Sequence, residues 1–374
     1  MSRILIVTND FPPRQGGIET FVRALCDHLP ADELVVFTSS MPGDQAYDAT
    51  LPFPVVRDRT TMLVPGPRVN RHAAEVLRRY QADRVIFGAA APLGLMAPAL
   101  RKAGARKVIA ITHGHETWWA ALPGSRQALR RIGESADVMT TVSDWCAERI
   151  ARALTPAAQA RMVRLRPGVD VERFYPGCGG AEVRTALALG NRPVVGCVSR
   201  LVARKGQDSL IEAWPRVLAV VPDAVLLLVG GGPDRRRLTE LAERNQVAES
   251  VVFTGPVAWA EIPPYHDAVD VFAMPCRTRR LGLEPEALGI VALEAAATGK
   301  PVLIGDSGGA PETVEPGRTG YVVNADTVAD HLIELLTNPL KAKALGEQGR
   351  QRVHQSWTWQ ATAQTLHHLL NDPR

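Results

Sequence analysis

The chain has 374 residues, 46% of them hydrophobic and 22% charged. This composition excludes a disordered or fibrous protein, and at about 100–200 residues per domain it points to two domains, each with a core of its own. A net charge of +4 is too small to mark a nucleic-acid binder, but it hides an asymmetry: residues 1–168 carry 22 basic and 15 acidic side chains, residues 169–374 carry 21 and 24. The five cysteines (Cys26, Cys146, Cys178, Cys197, Cys276) form no C-x-x-C pair. That argues against a disulfide framework or a cysteine zinc site and fits a reducing cytoplasm. The opening MSRILIVTND reads as a strand, not as the apolar core of a signal peptide. The longest uncharged stretch, Val85 to Leu100, has 16 residues and is broken by Pro92 and Pro98, too short to span a bilayer as a helix. A soluble or peripheral protein is expected.

In chain order, short apolar runs predict strands at Ile4–Thr8, Leu34–Thr38, Val85–Gly88, Lys107–Thr112 and Val138–Val142. Amphipathic segments such as Ile18–Leu29 and Arg71–Tyr80 lie between them. After a Pro/Gly-rich stretch at Arg166–Gly190 the pattern restarts. Strands follow at Pro193–Ser199, Val225–Val229, Val251–Thr254, Val271–Met274 and Pro301–Ile304, with helices at Asp208–Val220, Asp234–Asn245, Ile290–Thr298 and Val328–Leu336. Such alternation predicts an α/β protein of two doubly wound, Rossmann-like domains, 1–168 and 169–356, facing a central cleft that holds the ligand. A dinucleotide is the commonest occupant of this fold, but the first strand is followed by TNDFPPRQGGIET and the second ends in FTSS without an acid. Neither matches the dinucleotide fingerprint.

Four constellations carry candidate chemistry. Gly16 and Gly17, ahead of the helix opening at Ile18, let backbone approach a ligand, with free N–H groups for a phosphate; a plain turn has the same look. Arg200 and Lys205, in SRLVARKG after a strand, are placed to clamp a diphosphate and stabilise it as a leaving group; a solvated basic loop is the alternative. Glu286 and Glu294 bracket a helix start. Eight helical residues turn roughly 80° past two full turns, so a shared helical face is not required. Glu286 is better placed in the preceding loop and Glu294 one turn in, each accepting hydroxyls of one extended ligand, with the amides of Gly289, Ile290 and Val291 facing a phosphate. One solvated and one helix-surface glutamate would give the same spacing. His113, in THGHE, sits where a strand's carboxyl end meets a sugar or carbonyl; a structural histidine or a His-x-His metal pair is also compatible, although nothing else completes a metal set.

Taken together and in this order, SRLVARKG, VGGGPDRRRL, the E-x7-E segment Glu286–Glu294 and SGGAPETV at 307–314 resemble the retaining glycosyltransferases of family 4 (GT4), which have the two-domain GT-B fold. The resemblance spans essentially the whole chain. It implies an N-terminal acceptor domain, a C-terminal nucleotide-sugar domain, and a last helix, here 357–370, that crosses back onto the first domain. The segments NDFPPRQGGIETF, THGHETWW, AMPCRTR and GLEPEALGIVALEA are similar to the actinobacterial members that move mannose from GDP-mannose, α-1,6-linked, to a phosphatidylinositol-mannoside lipid acceptor. Other members use different nucleotide sugars or soluble acceptors, which stands as the alternative. The loop reading RRLGLEP departs from the more glycine-rich run expected before Glu286.

By this resemblance Arg200 and Lys205 bind the donor diphosphate, joined by amides at Gly16 and Gly17 and by those of Gly289, Ile290 and Val291. Glu286 holds sugar hydroxyls, Glu294 the ribose, and His113 lies beside the transferred sugar; Val252 and Val257 border the base. No carboxylate is placed as a nucleophile, so front-side departure and attack is expected, with fixed cations in place of a metal and no cofactor. The basic half, with Arg57, Arg59, Arg68, Arg71, Arg78, Arg79, Arg126, Arg130 and Arg131 beside Trp118, Trp119 and Leu122, is read either as a surface for an anionic membrane or as a scattered solvated face. The first reading places the protein in the cytoplasm, peripheral on the inner face of the plasma membrane, with no nucleic-acid partner.

Overall fold

Every strand in the computed structural model, which describes residues 3–14 and 16–372, belongs to one of two parallel sheets. The first contains β1 (Arg3–Val7), β2 (Leu34–Ser39), β3 (Val55–Asp58), β4 (Ala82–Phe87), β5 (Lys107–Ile111), β6 (Val138–Thr141) and β7 (Met162–Arg164), in the order β3-β2-β1-β4-β5-β6-β7. The second contains β8 (Val194–Val198), β9 (Val225–Val229), β10 (Val251–Gly255), β11 (Val271–Met274), β12 (Val302–Gly305) and β13 (Gly320–Val323), in the order β10-β9-β8-β11-β12-β13. Central strands such as LVVFTS, KVIAI, VVGCV and VLLLV are buried along their whole length. Unbroken apolar runs of this kind are what a sheet covered on both faces requires.

In each sheet the first strand has a neighbour on either side from different chain directions. Ile4 pairs with Leu34 of β2 and Arg84 of β4, and Val195 pairs with Leu226 of β9 and Val271 of β11. The order therefore reverses at β1 and at β8, and the crevice outside the carboxyl ends of the strands at such a reversal is where doubly wound sheets bind ligands. The loop with Gly16 and Gly17 follows β1; the loop with Arg200 and Lys205 follows β8.

The chain divides into two compact units, one running through Pro167 and resuming at Trp359, the other Gly168–Thr358. In the first, the helix Trp359–Asn371 places Leu366, Leu369 and Leu370 in the same apolar cluster as Ile4, Phe21 and Leu25. Its hydroxyl Thr362 Oγ1 donates to the Arg166 carbonyl at 2.7 Å.

The structure corrects the expected elements chiefly at their margins. Strands β3, β7 and β13 were not expected, and all three lie at sheet edges. Their sequences VVRD, MVR and GYVV are short and only partly buried, so they lack the apolar run that marks a central strand. The helix expected at Arg71–Tyr80 begins at Pro67, which occupies the first turn after Gly66. Proline is tolerated there because the N–H it lacks would have no partner inside the helix.

Leu366 is fully buried and Leu340 is 81% exposed. Leu366→Ala should lower the stability of its unit by about 2–5 kcal/mol, whereas Leu340→Ala should stay within about 0.5 kcal/mol of wild type. Denaturant titration of both variants checks the contrast.

Candidate active site

Three loops converge at the carboxyl ends of β8, β11 and β12. The first is tied to the second at Gly206, whose φ of +79° suits glycine and whose added Cβ would lie 2.0 Å from the Pro275 carbonyl oxygen. Beside that contact the Arg277 N–H donates to the Arg204 carbonyl at 2.8 Å. Asp208, in the first turn of the helix Gln207–Leu218, accepts both Arg277 nitrogens, Nη1 at 2.7 Å and Nη2 at 2.6 Å, and Arg237 Nη1 at 3.1 Å. Burial works to raise the Asp208 pKa, but the Arg277 and Arg237 guanidiniums outweigh it and hold the carboxyl below its ordinary value. The third loop joins through Ser307: its hydroxyl accepts from the Glu286 N–H at 3.1 Å and lies 2.9 Å from Thr278 Oγ1. Gly309 N–H donates to the Glu286 carbonyl at 2.9 Å.

This lacing brings two of the sequence-predicted residues together. Lys205 Nζ donates to Glu286 Oε2 at 2.6 Å, with side chains only 11% and 12% exposed, and Arg204 Nε approaches the same oxygen at 3.8 Å. Arg200 is exposed and, among the described residues, its guanidinium has no hydrogen-bond or ion-pair partner. Glu286 precedes the helix Ile290–Ala297, whose cap residue Gly289 adopts φ +81°, and Ile290 and Val291 open its first turn half-buried. Glu294 lies one turn in, 9% exposed, and its carboxylate approaches His266 Nε2 at 3.7 Å rather than any predicted site residue. Val252 on the edge strand β10, and Val257 just beyond it, are half-buried. No hydrogen bond or ion pair joins either of them to Lys205, Glu286 or Glu294 among the described residues.

The remaining predicted residues belong to the first unit. A Cβ on Gly16 would lie 2.3 Å from Glu19 Oε2, whereas one on Gly17 would meet nothing within 4 Å. Space beside Gly17 is thus left by the fold, not filled by its own packing. His113 follows β5. Its Nε2 lies 2.6 Å from the Gly88 carbonyl, an acceptor only, so Nε2 carries the proton and Nδ1 keeps its lone pair. Glu116, fully buried at the start of the helix Glu116–Ala121, fixes this loop by accepting the His113 and Gly114 N–H groups on Oε2 at 3.0 and 3.2 Å.

The basic surface is narrower than the sequence implied. Arg57, with a side chain 9% exposed, is spent internally on Asp48, the Ser39 carbonyl and the Pro12 carbonyl. Arg68 forms a two-nitrogen fork on the buried Asp58 and Arg130 pairs with Glu134. Arg68 and Arg130 are exposed but paired, while Arg59, Arg71, Arg78, Arg79, Arg126 and Arg131 are exposed with no acidic partner among the described residues; Trp118 and Leu122 are exposed as well. Asp208, Arg277, Ser307 and His266 were not among the residues singled out from sequence. Only Ser307 and Arg277 had a local signal, the SGG run and the AMPCRTR segment.

The N-terminal segment 15–173 matches the model of Glycosyltransferase Family 4, and 181–352 that of Glycosyl transferases group 1. The chain is 46% identical, over 98% of its own length and 97% of the relative, to a GDP-mannose-dependent alpha-(1-6)-phosphatidylinositol monomannoside mannosyltransferase of Mycobacterium tuberculosis. It is 45% identical, over 100% of this chain and 99% of the relative, to the GDP-mannose-dependent monoacylated alpha-(1-6)-phosphatidylinositol monomannoside mannosyltransferase of Corynebacterium glutamicum. Its backbone matches the crystal structure of Anabaena HepE in complex with UDP at a TM-score of 0.82, with 20% identity, covering 98% of this chain and 99% of that one.

Burial pushes the His113 pKa down, against the pull of the Glu116 carboxylate. Neutral His113 therefore favours the fold: its contribution is complete above the unfolded value of about 6.5 and is lost as pH falls through the lower folded value. An imidazole NMR titration should place the His113 midpoint below 6.5; a midpoint at or above it contradicts this account.

Proposed function

The chain belongs to the family 4 glycosyltransferases of GT-B fold, and from that premise we propose that it moves mannose from GDP-mannose to phosphatidylinositol monomannoside with α-1,6 linkage. The full-length identity of 45–46% to enzymes with that named activity supports both donor and acceptor. The observation that carries the chemistry is the Lys205–Glu286 pair at 2.6 Å, made from the same loop after β8 that carries Arg200, whose guanidinium has no partner among the described residues, at the point where the order of the second sheet reverses.

In this reading Arg200 and Lys205 hold the donor diphosphate, and the open amides of Ile290 and Val291 at the start of the helix Ile290–Ala297 add positive potential for it. Glu286, kept in place by Lys205 and Ser307, accepts hydroxyls of the mannose, and Glu294 those of the ribose. Val252 and Val257 border the base. His113, neutral with a free Nδ1 lone pair, accepts from the transferred sugar, and the open space at Gly17 admits phosphate to its amide.

Retention in glycosidases uses two carboxylates about 5 Å apart, one of them a nucleophile. Glu286 is tied to a lysine, and that tie lowers its nucleophilicity. The departing diphosphate, held by the cations, instead takes the acceptor hydroxyl's proton as the new bond forms on the face it leaves. Charge stabilisation by Arg200 and Lys205 supplies the rate, and no divalent cation is required.

Among the described residues no helix is long and apolar enough to cross a membrane. We place the protein peripherally on the anionic inner leaflet through the exposed arginines and Trp118 and Leu122, each cation contributing about 1 kcal/mol near the surface.

Arg200→Ala and Lys205→Ala should each lower mannosyl transfer by on the order of 100-fold, measured with radiolabelled GDP-mannose and membranes in EDTA. Near-wild-type turnover in both variants, or activity abolished by EDTA and restored by a divalent ion, would overturn the charge assignment. In parallel assays GDP-mannose should outperform UDP-glucose and ADP-glucose. Flotation with anionic but not neutral vesicles at low salt should report the docking surface.

A further inference from the structure

His266 lies in the helix Ile262–Asp267 and is fully buried, yet among the described residues neither ring nitrogen has a hydrogen-bond partner. Its ring packs between Phe174 and Phe272, with centroids 5.8 and 5.5 Å away. An apolar ring of the same size would fill that space without leaving two polar atoms unsatisfied, so the imidazole calls for a reason beyond packing. Among the described residues the acid within ion-pair distance is Glu294: Nε2 stands 3.7 Å from Oε2, a few tenths of an ångström beyond hydrogen-bond distance. Among the described residues the Glu294 carboxylate accepts no hydrogen bond.

The helix that carries His266 has little freedom to shift. Asp267 accepts the N–H groups of Gly177 and Gly180 at 3.0 and 2.8 Å, and its carbonyl accepts Lys300 Nζ at 2.8 Å. A Cβ at Gly180 would lie 2.6 Å from the Asp267 carbonyl carbon. The imidazole is thus a fixed post and the glutamate the adjustable partner.

We propose that His266 is a positioning residue for Glu294, donating Nε2–H to Oε2 and leaving Oε1 to accept the vicinal hydroxyls of the nucleotide ribose. The assignment rests on the reading of Glu294 as the ribose-binding group. Catalytic hydrogen bonds that are long in the free protein commonly tighten when ligand binds. Here a small rotation of Glu294 toward the fixed ring is enough, and the ring then selects the carboxylate rotamer that meets the diol.

The test is calorimetric binding of GDP and of 2′,3′-dideoxy-GDP to the full chain and to His266→Phe, His266→Gln and Glu294→Gln. His266→Phe keeps the ring and removes both nitrogens; His266→Gln returns a donor near the Nε2 position. His266→Phe should raise the Kd for GDP by on the order of tenfold, as for a lost hydrogen bond to a charged group. It should leave dideoxy-GDP affinity unchanged, and His266→Gln should recover most of the loss. Wild-type GDP affinity in His266→Phe, or an equal loss for both nucleotides, overturns the proposal, because a purely structural role moves both alike. Glu294→Gln separates the two layers. If it weakens GDP while His266→Phe does not, only the role of His266 falls; if it leaves GDP untouched, the ribose assignment is wrong and the proposal falls with it.

Discussion

The site in the second unit depends on one steric constraint, the approach of the Pro275 carbonyl to Gly206 at a distance no side chain tolerates. That approach sets the loop after β8 directly against the loop after β11. Parallel strands cannot be joined by tight turns, so Arg277 and Asp208 at these two loops are 69 positions apart in the chain, and only strand adjacency at the reversal of the sheet brings them together. With the backbones in contact, Arg277 can reach Asp208 with both nitrogens and Lys205 can reach Glu286. Gly308 repeats the device on the other side, with φ +60° and a Cβ position 2.0 Å from the Glu286 carbonyl oxygen. Glu286 is therefore held by backbone packing as well as by charge.

Two kinds of ion pair follow, with different work to do. Asp208 and Arg277 form a planar fork with two near-ideal hydrogen bonds, the geometry in which guanidinium and carboxylate recognise one another most specifically. Such a pair fixes backbone. Lys205 offers a compact charge on a flexible stem to a single oxygen of Glu286, which leaves the other oxygen and the remaining ammonium protons for a further partner. In the proposed reading a donor diphosphate would share that ammonium with Glu286, and the lysine can serve both because it has three donors.

The central strands were legible because burial on both faces demands unbroken apolar runs, and Val225–Val229 and Val271–Met274 coincide with their expected bounds. The edge strands β3, β7 and β13 were not, since an edge pairs on one side and tolerates arginine and aspartate, as in VVRD. Lys205 and Glu286 were each conspicuous in sequence, but no local pattern links residues 81 positions apart. His266 was invisible for a different reason. A lone histidine in IPPYHD looks like a helix-surface residue, and only packing against Phe174 and Phe272 turns it inward.

The eight-residue spacing of the two glutamates acquires a physical meaning once Gly289 is seen between them in a left-handed conformation. They do not share a helix: Glu286 lies upstream of the cap, and Glu294 lies about 6 Å along the axis from Ile290 at 1.5 Å per residue. Both carboxylates thus border the helix start where free N–H groups favour an anion, and two negative charges there would repel a diphosphate. The fold answers each differently. Glu286 is matched by Lys205, so the pair adds little net charge, and among the described residues Arg200 remains a cation without an ion-pair partner. Glu294 is set one turn deeper in the sequence of the helix, beside a buried imidazole. An acid can stand next to an anion site when its charge is either paired or set back, and this segment uses one solution at each end.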